Sequence, residues 1–224
     1  VVFDLDDTLY LECEYVASGF RAVGDWCADH LGLAGVQELA QSFFRKGIRG
    51  HIFDAVLEQI GAAHPQQTVA EMVRVYREHY PQIAMPADSV ACLVQLHHRV
   101  HLALLTDGNS KSQWAKIDAL GLRTALDVIV VTGDWGAEFY KPHRKGFCHL
   151  QTVVPASKFI YVADNPEKDF QAPHQLGWAS IRVNRPASLH HTRRGSPEDA
   201  AFEVRDLTPL AGLLHQLYPN SFRD

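Results

Sequence analysis

The sequence predicts an α/β fold: a doubly wound parallel sheet of five strands, with a four-helix segment inserted after the first strand. Three observations predict it. Apolar runs at residues 1–3, 100–105, 128–131, 159–163 and 179–183 have the length and the bounding turn residues of buried strands. Helical periodicities separate the later runs, and strands alternating with helices imply a parallel sheet covered on both faces. Residues 12–85, by contrast, show no strand signal and carry apolar positions only at helical spacing.

Within that insertion, Val16, Phe20, Val23 and Cys27 form one helical stripe, and Val36, Leu39, Ala40 and Phe43 a second. Ile52, Phe53, Val56, Leu57 and Ile60 form a third; Val69, Met72, Val73, Tyr76 and Tyr80 form a fourth. Gly32, Gly35, Gly47, Gly50, Gly61 and Pro65 punctuate them. Four amphipathic helices with short connections make a small bundle. Pro81 and Pro86 mark the return, so residues 1–11 and 86–224 are expected to form the core domain around the inserted 12–85. In the core, helices are expected at 88–98, 110–120 with Gly121 as C-cap, 143–154, 168–176 and 207–217. Residues 184–200, with Arg193 and Arg194, read as a loop.

Composition narrows the function. The chain has 224 residues, 46% hydrophobic and 21% charged, as in an ordinary globular protein. A net charge of −5 argues against a nucleic-acid partner. No apolar run reaches membrane-spanning length, so no membrane partner is expected. Cys13, Cys27, Cys92 and Cys148 are scattered in helix-like stretches without a C-x-x-C, which predicts buried reduced thiols and a cytoplasmic location. The chain opens on Val1 inside a strand, so a few residues are expected upstream.

The chemistry gathers at strand ends, where ligands bind in open α/β sheets. Asp4-Leu5-Asp6-Asp7-Thr8-Leu9-Tyr10 begins where the first strand stops. Two carboxylates at i and i+2 can face one ligand if the backbone turns there; one can attack while the other handles protons. The second strand ends in Thr106-Asp107-Gly108-Asn109, Lys141-Pro142 follows the third, and the fourth ends in Asp164-Asn165-Pro166-Glu167-Lys168-Asp169. Each has a plainer reading: Thr106 as a helix cap, Lys141-Pro142 as a surface turn, Asp164 as the start of an Asx-turn, Asp169 as a balance to its helix.

Taken together and in order, these segments resemble the haloacid dehalogenase-like hydrolases, whose four motifs are D-x-D-x-T, a Ser or Thr, a Lys, and D-x-x-x-x-D. The resemblance spans Asp4 to Asp169, and the inserted bundle matches the helical cap of one branch. It implies a Rossmann-like core with strand order 3-2-1-4-5, which puts Asp4, Asp6 and Asp164 in one crevice. It implies that Asp4 is a nucleophile forming an aspartyl-phosphate, and that Asp6 is the acid for the leaving oxygen and then the base for water. It implies Mg²⁺ held by the Asp4 and Asp164 carboxylates and the Asp6 carbonyl, with Asp169 acting from further out. Lys141 then balances charge, Thr106 offers a hydroxyl and an N–H to a phosphate oxygen beside Asp107 and Gly108, and Thr8 braces the loop. Ala163 stands where Gly is common in the fourth motif.

The activity so implied is Mg²⁺-dependent hydrolysis of a small phosphorylated metabolite, a sugar phosphate or nucleotide monophosphate. Thr106-Asp107-Gly108 resembles a branch that includes N-acylneuraminate phosphatases and nucleotidases. A sugar phosphomutase of the same fold and a silent binding member compete with this reading, whereas Asp6 argues against a dehalogenase. Lys46 and Arg49, in a cationic loop flanked by Gly47 and Gly50, are candidate substrate contacts; a solvated basic turn is the competing reading. The thirteen histidines show no metal-ligand spacing and are read as solvent-facing or packing residues. Trp135, before Lys141, is expected to line the cleft.

Overall fold

A computed structural model describes residues 1–62, 66–193 and 200–219. Pro65, read above as a helix breaker, lies outside the described residues, as do residues 194–199 of the 184–200 loop, Arg194 among them. The chain divides into two compact units, Val1–Glu12 with Ala84–Asp224, and Cys13–Ile83.

The first unit holds a sheet of strands β1 (Val2–Phe3), β2 (Ala103–Thr106), β3 (Val128–Val131), β4 (Ile160–Ala163), β5 (Ala179–Val183) and β6 (Phe202–Val204). They run in the order β3-β2-β1-β4-β5-β6, and every neighbouring pair is parallel. The expected order is therefore present, with one strand more than the sequence predicts. β6 has three residues, two of them exposed, so it offers no apolar run to recognise. Its ladder to β5 is backed by an Arg182–Glu203 ion pair at 3.1 Å.

Phe3 pairs with Leu104 on one side and Val162 on the other. The Asp4 N–H then donates to the Val162 carbonyl at 2.9 Å, so the ladder reaches one step past β1 before the chain turns. This register brings the residues that follow β1, β2 and β4 to one edge. The core on one side packs Val2, Leu105, Phe147, Tyr161, Phe170 and Trp178, with Trp178 stacked on Phe159 at 4.5 Å. Trp135 packs against this cluster, with Lys145 over its ring, and does not line the cleft as expected. Two 3₁₀ turns, Thr132–Asp134 and Ala137–Phe139, carry the chain past it and deliver Tyr140 to the cleft instead.

Flanking helices of this unit are α5 (Ala87–Leu96), α6 (Ser110–Ala119), α7 (Lys145–Val153), α8 (Gln171–Gln175) and α9 (Leu210–Leu217). α8 is shorter than the 168–176 expected. The residues before it form a turn in which the Asp169 carboxylate accepts the Asn165 N–H at 3.0 Å and the Asn165 side chain accepts the Glu167 N–H. β2 starts three residues later than expected, because the Leu102 N–H is taken by the Asp127 carboxylate rather than by a ladder.

The second unit contains α1 (Glu12–Leu31, after its first residue), α2 (Val36–Arg45), α3 (Ile52–Ile60) and α4 (Gln66–Glu78). Val16, Phe20, Val23, Val36, Phe53, Val56, Leu57 and Met72 form its own core. Cys27 and Cys92 are buried thiols, pushed up to about 11 and about 12 by burial; Cys13 and Cys148 are half-buried rather than buried. Among the described residues no helix is long and apolar enough to cross a membrane.

Candidate active site

The loop after β1 is held by its own backbone contacts and by distant residues. Asp7 adopts a left-handed backbone with φ 55°, uncommon for a residue with a side chain. Its carboxylate offsets that cost by accepting the N–H of Glu12 at 2.9 Å and of Leu189 at 2.7 Å. The Thr8 carbonyl accepts two bonds from Arg185, at 3.1 and 3.0 Å, and Arg185 also pairs with Asp88 at 2.7 Å. Thr8 thus braces the loop through its carbonyl. Its hydroxyl is buried without a hydrogen-bond partner among the described residues.

Asp4, Asp164 and Asp169, all buried, present ligand atoms within 4.8 Å of one another. Lys141 Nζ pairs with Asp4 at 2.6 Å and Asp169 at 2.8 Å, and donates to the Tyr161 hydroxyl at 2.9 Å. With its side chain 1% exposed, Lys141 is not a surface turn. Asp107 fixes it from behind by accepting the Lys141 N–H, at 3.1 and 3.2 Å, and the Thr132 hydroxyl at 2.7 Å. Gly133 permits the approach: a Cβ there would stand 2.0 Å from the Gly108 carbonyl oxygen.

Three carboxylates against one ammonium leave unbalanced charge. Burial, then Asp169, Asp4 and Asp7, push the Asp164 carboxyl up to about 9. Burial, opposed by Lys141, lifts Asp4 to about 6. Burial alone would lower Lys141, but Asp169 and Asp4 outweigh it and hold it well above the usual lysine range. Asp164 Oδ2 is buried without a hydrogen-bond partner among the described residues. An orphaned carboxylate oxygen facing two more carboxylates suits a hard divalent cation.

The Asp6 carboxylate stands outside this trio. It accepts from Lys116 Nζ at 2.7 Å, from Gln113 Nε2 at 3.0 Å, and from the Tyr10 hydroxyl. Burial works to raise it, but Lys116 and these donors outweigh burial and hold it below the usual carboxylate range. Gln113 Nε2 also donates to Thr106 Oγ1 at 2.5 Å. The cap of α6 is instead Asn109, whose side chain accepts the Ser112 N–H. Glu12 is lifted to about 7 by burial and by Asp6.

Asp4, Asp6, Glu12, Thr106, Lys141 and Asp164 line a cavity of about 290 Å³, whose walls also include Gly108, Tyr140, Lys168 and His190. Lys168, at 3.4 Å from Asp107, is the more exposed of its two lining lysines. His190, expected with the other histidines to face solvent or pack, instead lines the cavity; burial, then Arg193 and Lys168, lower it. A cavity of about 300 Å³ lies at the opposite ends of the strands, with no carboxylate among the described residues of its walls. Of the expected contacts in the helical unit, Arg49 donates to the Phe44 and Ile48 carbonyls at 2.6 and 2.8 Å and stacks on Phe44, so it closes the end of α2. Lys46 sits over Phe43 at 5.8 Å.

The sequence model of the haloacid dehalogenase-like hydrolases matches residues 1–183. The chain belongs to this family. A glyceraldehyde 3-phosphate phosphatase of Methanocaldococcus jannaschii is 25% identical over 193 residues, 82% of this chain and 83% of that protein. An N-acylneuraminate-9-phosphatase of Mus musculus is 29% identical over 165 residues, 71% of this chain and 65% of that one. The crystal structure of a hydrolase of this family from Bacillus subtilis, bound to magnesium, has a TM-score of 0.69 at 20% identity, over 95% of this chain and 96% of the other. A 2-haloacid dehalogenase of Pseudomonas syringae has a TM-score of 0.63 at 23% identity over 96% and 97%. The fold is thus shared by enzymes of different chemistry, and the side chains have to discriminate.

Proposed function

We propose that this family member is a Mg²⁺-dependent phosphatase acting on a small phosphorylated metabolite through an aspartyl-phosphate on Asp4. The observation that carries the reading is the division between two carboxylate environments two residues apart. Asp4 lies in the buried cluster with Lys141, Asp164 and Asp169; Asp6 lies outside it among donors. On this reading one carboxylate attacks and the other moves protons, a division of labour that a reaction with an alkoxide leaving group requires.

Asp4, Asp164 and the Asp6 carbonyl would hold Mg²⁺, with Asp169 supporting from Lys141. When bound, the ion neutralises phosphoryl charge beside the carboxylates. Asp4 Oδ attacks phosphorus and the ester P–O bond breaks, while Asp6 gives its proton to the leaving oxygen. Water then attacks phosphorus, the bond to Asp4 breaks, and Asp6 takes the water proton. Lys116 holds Asp6 ionised at rest. An arriving phosphoryl anion raises its proton affinity, so that it takes up a proton from water on binding and can then act as the acid. Thr106, Gly108 and Lys168 face the phosphoryl oxygens, and Lys141 keeps Asp4 in line. A cavity of about 290 Å³ suits a sugar phosphate or a nucleotide monophosphate bound in part. The relatives' named substrates, small phosphate monoesters, support that class. By family resemblance the helical unit, with Lys46 and Arg49, would read the leaving group.

Phosphate release from a panel of small phosphate monoesters, with Mg²⁺ and with excess chelator, tests the reading. Release should require Mg²⁺ and vanish in Asp4→Asn. Asp6→Asn should lose about 10²–10⁴ in kcat on an alkyl phosphate and less on an aryl phosphate, which needs no acid to leave. Release by Asp4→Asn at the wild-type rate, or movement of the phosphoryl group to a second hydroxyl without release, would reject it.

A further inference from the structure

We propose that Gln113 and Lys116 of α6 are positioning residues whose task is to keep the Asp6 carboxylate out of the cation's reach. The inference deepens the phosphatase reading and rests on it. It concerns residues that none of the four motifs contains.

Asp6 is separated from Asp4 by one residue, and Asp4 belongs to the carboxylate trio. A free Asp6 side chain beside a divalent cation is a ready additional ligand, because Mg²⁺ completes its shell with carboxylate or water oxygens. A carboxylate bound to the ion cannot also exchange a proton with the leaving oxygen. Something must hold the second acid aside, and α6 provides it. Gln113 and Lys116 are spaced i, i+3 and so share one helix face. Both are buried, at 1% and 4% exposure, which is uncommon for a lysine without a partner to justify it. Lys116 Nζ reaches Asp6 Oδ1 at 2.7 Å while Gln113 Nε2 reaches Oδ2 at 3.0 Å. Each oxygen therefore has its own donor, and the carboxylate plane is fixed by two anchors on one rigid helix. Tyr10 adds a third donor to Oδ1. The Asn109 cap fixes where the helix starts, and Gln113 ties the same anchor to Thr106 at 2.5 Å. The hydroxyl that meets the phosphoryl group and the acid that protonates its leaving oxygen are thus set by one amide. Among the described residues the trio excludes Asp6, which is the arrangement these contacts enforce.

The test is a double-mutant cycle read on Mg²⁺ binding by calorimetry, with the purified full chain and no substrate. Lys116→Met should tighten Mg²⁺ by about ten-fold or more, because the released Asp6 joins the ion. In an Asp6→Asn background the same change should move affinity less than about three-fold. Equal tightening in both backgrounds would mean that Lys116 acts only through its charge, and no tightening would mean that Asp6 is not restrained; either overturns the proposal. Lys116→Arg, which keeps charge and reach, should bind as wild type. Gln113→Leu, run through the same cycle, decides the matter if Lys116→Met does not fold, and there no charge is lost. The readout needs no turnover. A wild-type chain that releases no phosphate would fail the phosphatase reading, while the cycle would still report on the restraint.

Discussion

Replacing Lys141 with Met should cost far more stability than a salt bridge ordinarily contributes. Exposed ion pairs are worth about 0–1 kcal/mol. Here the Lys141 side chain is 1% exposed, and its partners Asp4 and Asp169 are 6% and 0% exposed. Removing one partner of such a buried pair strands the other and costs about 3–5 kcal/mol. Two carboxylates and the Tyr161 hydroxyl lose their shared donor, so the upper half of that range is expected. For a chain of this size that is a fall in Tm of roughly 8–20 °C. The loss should depend on pH. Without Lys141 the carboxyls hold protons to higher pH, and protonation relieves the stranded charge, so the penalty should be smaller at pH 5 than at pH 8. Asp169→Asn added to Lys141→Met should recover part of it. Urea unfolding in chelator, followed by near-UV circular dichroism of the buried Trp178, measures all of this within the sheet-containing unit. A penalty below about 1 kcal/mol, or one equal at pH 5 and pH 8, would refute the claim that Lys141 is the neutralising charge of a desolvated cluster.

Two further outcomes follow from the same site. Arg185→Met strands Asp88 and frees the Thr8 carbonyl; it should destabilise by about 2–4 kcal/mol and lower kcat, measured by denaturation and initial rates. In chelator, Tm should fall as pH rises from 5 to 9. The Asp164 carboxyl is raised from 3.8 to about 9 in the folded protein, so its contribution is full below pH 4 and lost by pH 9. Mg²⁺, which needs the ionised form, should then raise Tm more at pH 8 than at pH 5; a flat profile in scanning fluorimetry would contradict this.

The sequence carried the reactive residues that stand at strand ends, because there the apolar run stops abruptly and the polar residue is conspicuous. Asp4, Thr106 and Asp164 are legible for that reason, and so is the parallel sheet. Gln113 and Lys116 are not, since a polar pair on a helix reads as a solvated face until the helix is packed against Asp6. Lys168 sits inside a motif and is hidden by the acids around it. His190 belongs to a loop whose path is fixed by Asp7, Arg182 and Arg185 across the whole chain, which no local pattern reports. β6 is not legible because three mostly exposed residues offer no apolar run, and the arginine that pairs with Glu203 lies on another strand.

The central strand is also the first one in the chain and has only two residues. Val2 and Phe3 find their ladder partners in Ala103 and Leu104 on one side and in Tyr161 and Val162 on the other. No local contact can form β1, and the loop after it waits further, for Leu189 to reach Asp7 and Arg185 to reach Thr8. Such distant pairing is slow, because loop closure must precede its reward. The helical unit, whose core residues lie within Cys13–Ile83, has no such wait and can fold while the Asp4-bearing segment is still loose. On a ribosome, residues 4–10 would emerge before the segments that order them. The carboxylate cluster would form only once Lys141, Asp164 and Asp169 are present, so the state of the site reports pairing across the sheet.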